Sequence, residues 1–388
     1  MNILVIPPND ILRHPIPNRI YHIFSRLSRR HNIYLLSFPR HPLASQVIIR
    51  SMKALEIAFR PVTTSNLGLY YLFNHVPIHC ALKKVLEKEV VDVIVHANIF
   101  PSLEAIYLAK KFRIKNVYDF LDYFPESASA YYDERAKWFV ETVVRICSIK
   151  ALMSSDLVIT PSYGLKKILE NYTNMEKIHV IPNGVDPEIF KPIDQEYARK
   201  TINLDYTGYI ALLYGSLDVW IDVAAVLKAV KLLRQQGIDI IIMLVGLSHK
   251  KEYYMRIVKE ARKYGIDKYI LIYPPQPYEK MPLFINACDI ILSPIKKQLM
   301  NFATPLKIIE ALACGKPVIT LDIAEFKIWF KDCLLTYTNL NKLPDKLKEA
   351  ISISNIGKAK LIEYAEVIRR IFDWNLLSRR YNAVIEKC

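Results

Sequence analysis

The sequence predicts an α/β protein made of two doubly wound, Rossmann-like domains facing one another across a cleft. Short apolar, β-branched runs alternate with amphipathic stretches along the whole chain, as in parallel sheets flanked by helices. Those runs are continuously hydrophobic rather than alternating, so both faces of each sheet are covered. The series breaks once, at the turn Pro182-Asn183-Gly184 and the polar stretch Asp186–Asp205, which leaves two halves of ordinary domain size.

In the first half, strands are expected at Ile3–Ile6, Ile33–Phe38, Val91–Val95, Val117–Leu121, Leu157–Thr160 and Ile178–Ile181, with helices such as Ile20–Arg30, Ser102–Phe112 and Glu134–Met153 between them. In the second half the strands fall at Tyr209–Tyr214, Ile238–Val245, Tyr269–Tyr273, Asp289–Leu292 and Pro317–Leu321. Their helices read Ile221–Gln236, Lys250–Tyr264, Tyr278–Ala287 and Pro305–Ala313. The domain boundaries implied are 1–190, a linker over 191–208, a second domain over 209–366, and a terminal helical segment over 367–388. That tail is amphipathic, with Ile368, Ile371, Phe372, Leu376 and Leu377 on one side. In doubly wound sheets ligands bind outside the carboxyl ends of the strands, so two facing domains make room for two substrates.

Composition removes several classes. The chain is 388 residues long, 52% hydrophobic and 23% charged, enough for large cores and incompatible with global disorder. Its ten glycines are never spaced as G-x-G, which excludes the dinucleotide fingerprint and the G-x-x-x-x-G-K phosphate loop. The net charge is +15, and residues 1–60 alone carry nine basic residues against Asp10 and Glu56. Such a field suits a phosphorylated small molecule or an anionic membrane surface, while the absence of nucleic-acid motifs argues against nucleic acid. An equally simple reading is a solvated basic helix face.

The six cysteines never form C-x-x-C, and Met1–Pro8 has neither the cationic start nor the apolar length of a secretory signal. A cytoplasmic protein with reduced thiols, peripheral at the inner face of a membrane, is the expectation. Pro61–Leu82 lacks charged residues, but its prolines, asparagines and histidines argue against a membrane span. Within it, Leu67–Phe73 reads either as core or as a segment dipping into a bilayer beside the basic Arg26–Arg30 helix. His75 and His79 imitate a zinc pair, yet Pro77 between them and the missing H-E-x-x-H acid argue against metal.

The segment richest in chemistry is Thr304-Pro305-Leu306-Lys307-Ile308-Ile309-Glu310-Ala311-Leu312-Ala313-Cys314-Gly315-Lys316-Pro317. Thr304 reads as an N-cap, Pro305 as the first helical residue and Gly315 as the C-terminal cap. The helix start then aims free amides and a positive dipole end at the cleft, favouring an anion by roughly 0.3–2 kcal/mol. Lys307 opposes that dipole unless an anion is bound, and Glu310 lies one turn deeper, where a carboxylate can accept both hydroxyls of a ribose. An ordinary capped amphipathic helix is the competing reading.

This segment resembles the P-x-K-x-x-E-A-x-A-x-G-K-P-V-I stretch of retaining glycosyltransferases of family 4, which have the GT-B fold. Ile181-Pro182-Asn183-Gly184-Val185-Asp186 with Phe190-Lys191-Pro192 is similar to that family's I-P-N-G-V-D…F-x-P junction. Asp289-Ile290-Ile291-Leu292-Ser293-Pro294 resembles its A-D-x-x-L-x-P strand, and Trp374 its crossing segment.

The resemblance implies that the second domain binds a nucleotide-diphosphate sugar and the first binds an acceptor, a lipid-linked or glycan hydroxyl. It implies no cofactor and no metal. Glu310 would hold the ribose, while Lys307 and the amides around Thr304, Pro305 and Leu306 would meet the diphosphate, with Gly215, Ser216, Lys296 and Lys297 as further donor contacts. On the acceptor side stand Arg13 and Arg19, with Asp119 and Asp122 as candidates to orient the acceptor hydroxyl or support positive charge at the anomeric carbon. Paired carboxylates also suit glycoside hydrolysis, and Asp122 also reads as a helix cap.

The chain departs from the family pattern in three places. Phe302 stands where the first acid of an E-x7-E pair belongs. Gly215-Ser216-Leu217-Asp218-Val219-Trp220 replaces an Arg/Lys pair, in the manner of a branch with G-S-L-x-x-W-x-D that Trp220 and Asp222 fit. Pro7–Arg13 replaces a glycine-rich loop. A GT-B nucleotide-sugar epimerase and a degenerate sugar-nucleotide- or glycan-binding protein therefore stand beside the transferase as alternatives.

Overall fold

A computed structural model describes residues 1–45, 48–64, 67–129, 132–215, 221–246, 251–295 and 304–388. The chain forms two compact units, one of Met1–Asn183 with Trp374–Cys388 and the other of Gly184–Asp373.

The first unit contains a seven-stranded parallel sheet. Its strands are β1 (Asn2–Ile6), β2 (Asn32–Leu36), β3 (Leu55–Ile57), β4 (Val93–His96), β5 (Lys115–Asp119), β6 (Leu157–Thr160) and β7 (Ile178–Val180), in the order β3-β2-β1-β4-β5-β6-β7. Ile3 is paired with Ile33 on one side and Val93 on the other, which places β1 at the centre. Apolar side chains are buried on both sheet faces, as the continuous runs require. On one side Leu4, Ile6, Leu36 and Ile94 pack with Phe38, Tyr70 and Leu108. The helix Arg19–Leu27 is capped by Asn18, whose side chain accepts from the Tyr21 amide.

That helix packs on the terminal helix Trp374–Ile385. His22 stacks on Trp374 at 5.0 Å between ring centres, and Phe24 meets Tyr381 edge-on at 5.7 Å. The returning segment is shorter than the expected 367–388, because the helix Lys358–Ile371 belongs to the second unit.

The second unit contains a six-stranded parallel sheet. Its strands are β8 (Tyr209–Tyr214), β9 (Ile240–Val245), β10 (Ile270–Tyr273), β11 (Ile290–Ser293), β12 (Val318–Leu321) and β13 (Leu334–Tyr337), ordered β10-β9-β8-β11-β12-β13. Every residue of β9 is buried, the signature of a strand with helices on both sides. Strand order reverses between β8 and β11, so the carboxyl ends of these two strands form the topological switch point of the sheet.

Two expectations shift here. The expected linker 191–208 contains a helix, Gln195–Thr201, capped by Asp194 and packed on the helix Met281–Ala287. The division also falls at Asn183–Gly184 rather than after residue 190. Among the described residues no helix is long and apolar enough to cross a membrane.

Candidate functional site

The helix Leu306–Ala313 follows β11 and leads into β12. Pro305, at φ −63° and ψ 129°, occupies the cap position, and its carbonyl accepts from the Ile308 amide at 3.1 Å. The helix therefore starts one residue later than expected, and the buried Thr304 lies outside it. Pro305 makes no side-chain cap bond, and the Leu306 and Lys307 amides have no intrahelical acceptors. At the other end Gly315 takes φ +69°, a left-handed conformation that suits glycine, and donates to the Leu312 carbonyl.

Tyr214, the last residue of β8, ties the first turn of this helix to the switch point. Its hydroxyl lies 2.7 Å from the Lys307 carbonyl and 3.2 Å from Glu310 Oε2. Glu310 is only 6% exposed. Burial pushes its pKa up to about 7, while the hydroxyls of Tyr214 and Tyr278 and the charge of Lys307 pull it back. Burial likewise pushes the half-buried Lys307 down to about 8, against the opposing pull of Glu310. Both groups change protonation close to neutrality, where small alterations in nearby charge have large effects.

Gly215 follows Tyr214 with φ +94°. Its carbonyl oxygen approaches Gly246, after β9, so closely that a Cβ on Gly246 would lie 2.1 Å from it. Two strand-end loops thus meet backbone to backbone beside Tyr214, and a side chain at Gly246 would force them apart. Asp222 caps the helix Val223–Gln235 by accepting from the Ala225 amide at 3.0 Å. Ser216, Trp220, Lys296, Lys297 and Phe302 lie outside the described residues.

In the first unit two of the expected site residues are bonded to one another inside the fold. Asp119, expected to act on an acceptor, is fully buried at the end of β5 and bonded to Arg19, whose Nε lies 3.0 Å from Asp119 Oδ2. Arg19, expected to contact the acceptor, is itself 3% exposed and donates through Nη1 to the carbonyls of Ile181 and Pro182. Burial raises the Asp119 pKa, while Arg19 and the Tyr381 hydroxyl oppose that rise. The pair braces the interior, where a charge removed from water needs its partner.

Arg13 sits beyond the end of β1 and is partly exposed. It bonds Asp10, the Ser37 hydroxyl and Glu56, so its charge is already matched by two carboxylates. Asp122 is exposed and accepts from the Tyr123 amide at 2.8 Å, leaving it the outward-facing member of the expected carboxylate pair.

Glu104 reaches both histidines of the zinc-like spacing, at 2.7 Å from His79 and 3.6 Å from His75. Among the described residues no cluster of three or more such side chains could hold a metal ion. In the segment Leu67–Phe73, Tyr70 and Tyr71 are core, whereas Leu72 and Phe73 are exposed. This segment packs on helices His75–Leu86 and Phe100–Phe112, whereas the basic helix packs on the terminal helix.

Sequence reasoning missed Tyr214, Tyr278 and Gly246. Tyr214 closes an apolar run and reads as core. Gly246, directly after a buried strand in a chain with few glycines, was the available signal.

Two doubly wound parallel sheets, with an uncapped helix start and a buried carboxylate at the switch point of the second, define a protein of GT-B architecture. Solved structures agree on the fold. Sucrose-phosphate synthase from Thermosynechococcus elongatus superposes with a TM-score of 0.83 at 16% identity, covering 100% of this chain and 98% of that one. The Anabaena protein HepE in complex with UDP superposes at 0.71 and 16% identity, over 100% of both chains. Residues 16–189 match the family model for Glycosyltransferase Family 4, and residues 194–356 that for Glycosyl transferases group 1. The chain belongs to glycosyltransferase family 4.

Curated relatives include D-inositol 3-phosphate glycosyltransferase 1 of Catenulispora acidiphila, 25% identical over 154 residues, which are 38% of this chain and 36% of that protein. The lipopolysaccharide 1,2-N-acetylglucosaminetransferase of Salmonella typhimurium is 25% identical over 168 residues, 42% of this chain and 43% of that protein. The chain thus spans less than half the length of either relative.

Proposed function

We propose that the chain transfers a sugar, with retention of configuration, from a nucleotide-diphosphate sugar to the hydroxyl of a lipid-linked or glycan acceptor. The observation that carries this reading is the buried Glu310 carboxylate, held at the switch point by Tyr214 above an uncapped helix start. One carboxylate oxygen is engaged by Tyr214, and in this reading the group accepts from the two ribose hydroxyls. The Leu306 and Lys307 amides and the Lys307 ammonium meet the diphosphate.

During transfer the bond from the anomeric carbon to the phosphate oxygen breaks, and the charge left on the diphosphate is matched by Lys307 and the helix dipole. The acceptor oxygen bonds to the anomeric carbon, and its proton passes to the departing phosphate. This arrangement calls for no metal ion or cofactor. That HepE is recorded with UDP supports a nucleotide donor, and the lipopolysaccharide transferase supports a lipid-linked acceptor. A cytoplasmic enzyme touching an anionic membrane through its first unit fits the positive charge of residues 1–60 and the exposed Leu72, Phe73 and Val76.

The test is transfer from a panel of nucleotide sugars, with anomeric configuration read by NMR. Glu310→Ala should lose at least a hundredfold in turnover while melting as a folded protein. Undiminished transfer would overturn the assignment. Epimerised donor formed without acceptor would replace the transferase with an epimerase, and binding without turnover on any acceptor would indicate a sugar-nucleotide-binding protein.

A further inference from the structure

A concavity of the second unit lies away from Glu310. It is a cavity of about 520 Å³ near the amino-terminal ends of β9 and β10, whereas the switch point is at the carboxyl ends of β8 and β11. Ile241 and Leu271 contribute to an apolar floor, and Tyr206 and Tyr269 stand beside it. Arg234 and Asp239 supply the polar edge. The Arg234 guanidinium lies 3.5 Å from the centre of the Tyr269 ring, close enough for direct stacking, and Arg234 Nη1 lies 2.7 Å from Asp239 Oδ1. The Tyr206 hydroxyl donates to the same oxygen at 2.8 Å. The Tyr206 hydroxyl and the guanidinium, with Tyr269 stacked on the latter, are thus tied to one carboxylate, whose side chain is still 59% exposed.

The chemistry of this lining selects its ligand. Arg234 and Lys268 are balanced by Asp205 and Asp239, so the cavity offers no net field for a phosphate or a nucleotide. Its volume lies within the range of small-ligand sites, about 300–1,000 Å³, and it combines aromatic faces with a few fixed donors and acceptors. A neutral saccharide presents the complementary surface. The C–H face of a pyranose lies against a tyrosine ring, while vicinal hydroxyls donate to Asp239 and accept from Arg234 or Lys268.

We propose that this cavity is a second saccharide-binding site, taking a neutral oligosaccharide of two or three residues independently of the nucleotide. Its use as a hold on a growing acceptor glycan rests on the transferase reading. The binding itself does not.

The test separates the two. Maltotriose, cellotriose and mannotriose are titrated into the whole chain with no donor present, and saturation-transfer NMR reports contact with sugar ring protons. At least one should bind, with dissociation constants in the millimolar range or tighter, and UDP should not displace it. Asp239→Ala and, as a variant that fills the cavity instead of emptying it, Leu271→Trp should each weaken that binding at least tenfold and leave the thermal shift produced by UDP unchanged. The proposal is overturned if none of the trisaccharides binds, if UDP displaces them, or if both folded variants bind them as the parent does. Saccharide binding with no transferase activity would leave this site standing and remove only the reaction.

Discussion

The Tyr214 hydroxyl stands 3.2 Å from Glu310 Oε2, linking the end of β8 to the one buried carboxylate of the helix Leu306–Ala313. Because this bond favours the ionised form, Tyr214→Phe should raise the Glu310 pKa above its value of about 7. A bond stronger by about 1 kcal/mol to the ionised than to the neutral carboxyl corresponds to a shift of roughly 0.5–1 pH unit. UDP affinity measured from pH 5.5 to 8.5 should rise with pH as Glu310 ionises. In the variant that limb should move to higher pH, and superimposable profiles would deny the link.

Lys307 is held down at about 8 by burial, so part of it is neutral in mildly alkaline solution. An incoming diphosphate restores the charge. Calorimetry at pH 8 to 8.5 in buffers of different ionisation enthalpy should therefore show proton uptake on UDP binding. Lys307→Ala should abolish that uptake and weaken UDP by about 10- to 100-fold, the loss of one charge-assisted hydrogen bond, with little effect on uridine.

Burial of Glu310 should also leave a mark on stability. Its folded pKa, about 7, lies above that of an unfolded glutamate, so its contribution is fully present below about pH 4 and is lost as pH rises through about 7. Above that point the ionised group costs on the order of 3 kcal/mol by linkage. Glu310→Gln should consequently raise the melting temperature at pH 8.5 more than at pH 5 while eliminating activity. A variant less stable at the higher pH would contradict this accounting.

The buried pair Arg19–Asp119 predicts the opposite behaviour. Removing one partner strands the other charge, at about 3–5 kcal/mol. For a unit of this size Asp119→Ala should lower the melting temperature by roughly 6–20 °C, while Arg19→Leu combined with Asp119→Leu should lose much less. Asp119→Ala with unaltered melting and lost transfer would return Asp119 to the chemistry.

Membrane contact makes a separate prediction. The whole chain should sediment with anionic phosphatidylglycerol vesicles at low salt and be released at about 0.5 M salt. Substituting the exposed Phe73 and Val76 by serine should weaken binding without altering UDP affinity. Equal binding to neutral vesicles would remove the electrostatic argument.

The central strands were legible because a strand covered on both faces writes an unbroken apolar run. β9 is the clearest case, with every residue buried. β3 is a three-residue edge strand whose Leu55 and Glu56 are exposed, so its sequence carries no such run, and β13, only partly buried over Leu334–Thr336, is similarly faint. At the candidate site, the helix bearing Lys307 and Glu310 could be read from spacing and caps, which are local. Asp119 could not. A carboxylate at a strand end looks the same whether it faces a ligand or an arginine, and here its partner is a hundred positions away, at residue 19. Tyr214 was opaque for the same reason, because its role comes from a helix that begins long after its own strand has ended.

The helix Trp374–Ile385 joins the first unit from the other side of the second, and its Trp374 covers the ring of His22. During synthesis, β1 and its neighbours therefore leave the ribosome lacking one of their own walls and must wait while Gly184–Asp373 is made. At about 5–20 residues per second that delay is roughly 10–40 s. Within this unit the strands made early are completed late, and a premature stop before Trp374 would strike a fold whose sheet lies far upstream.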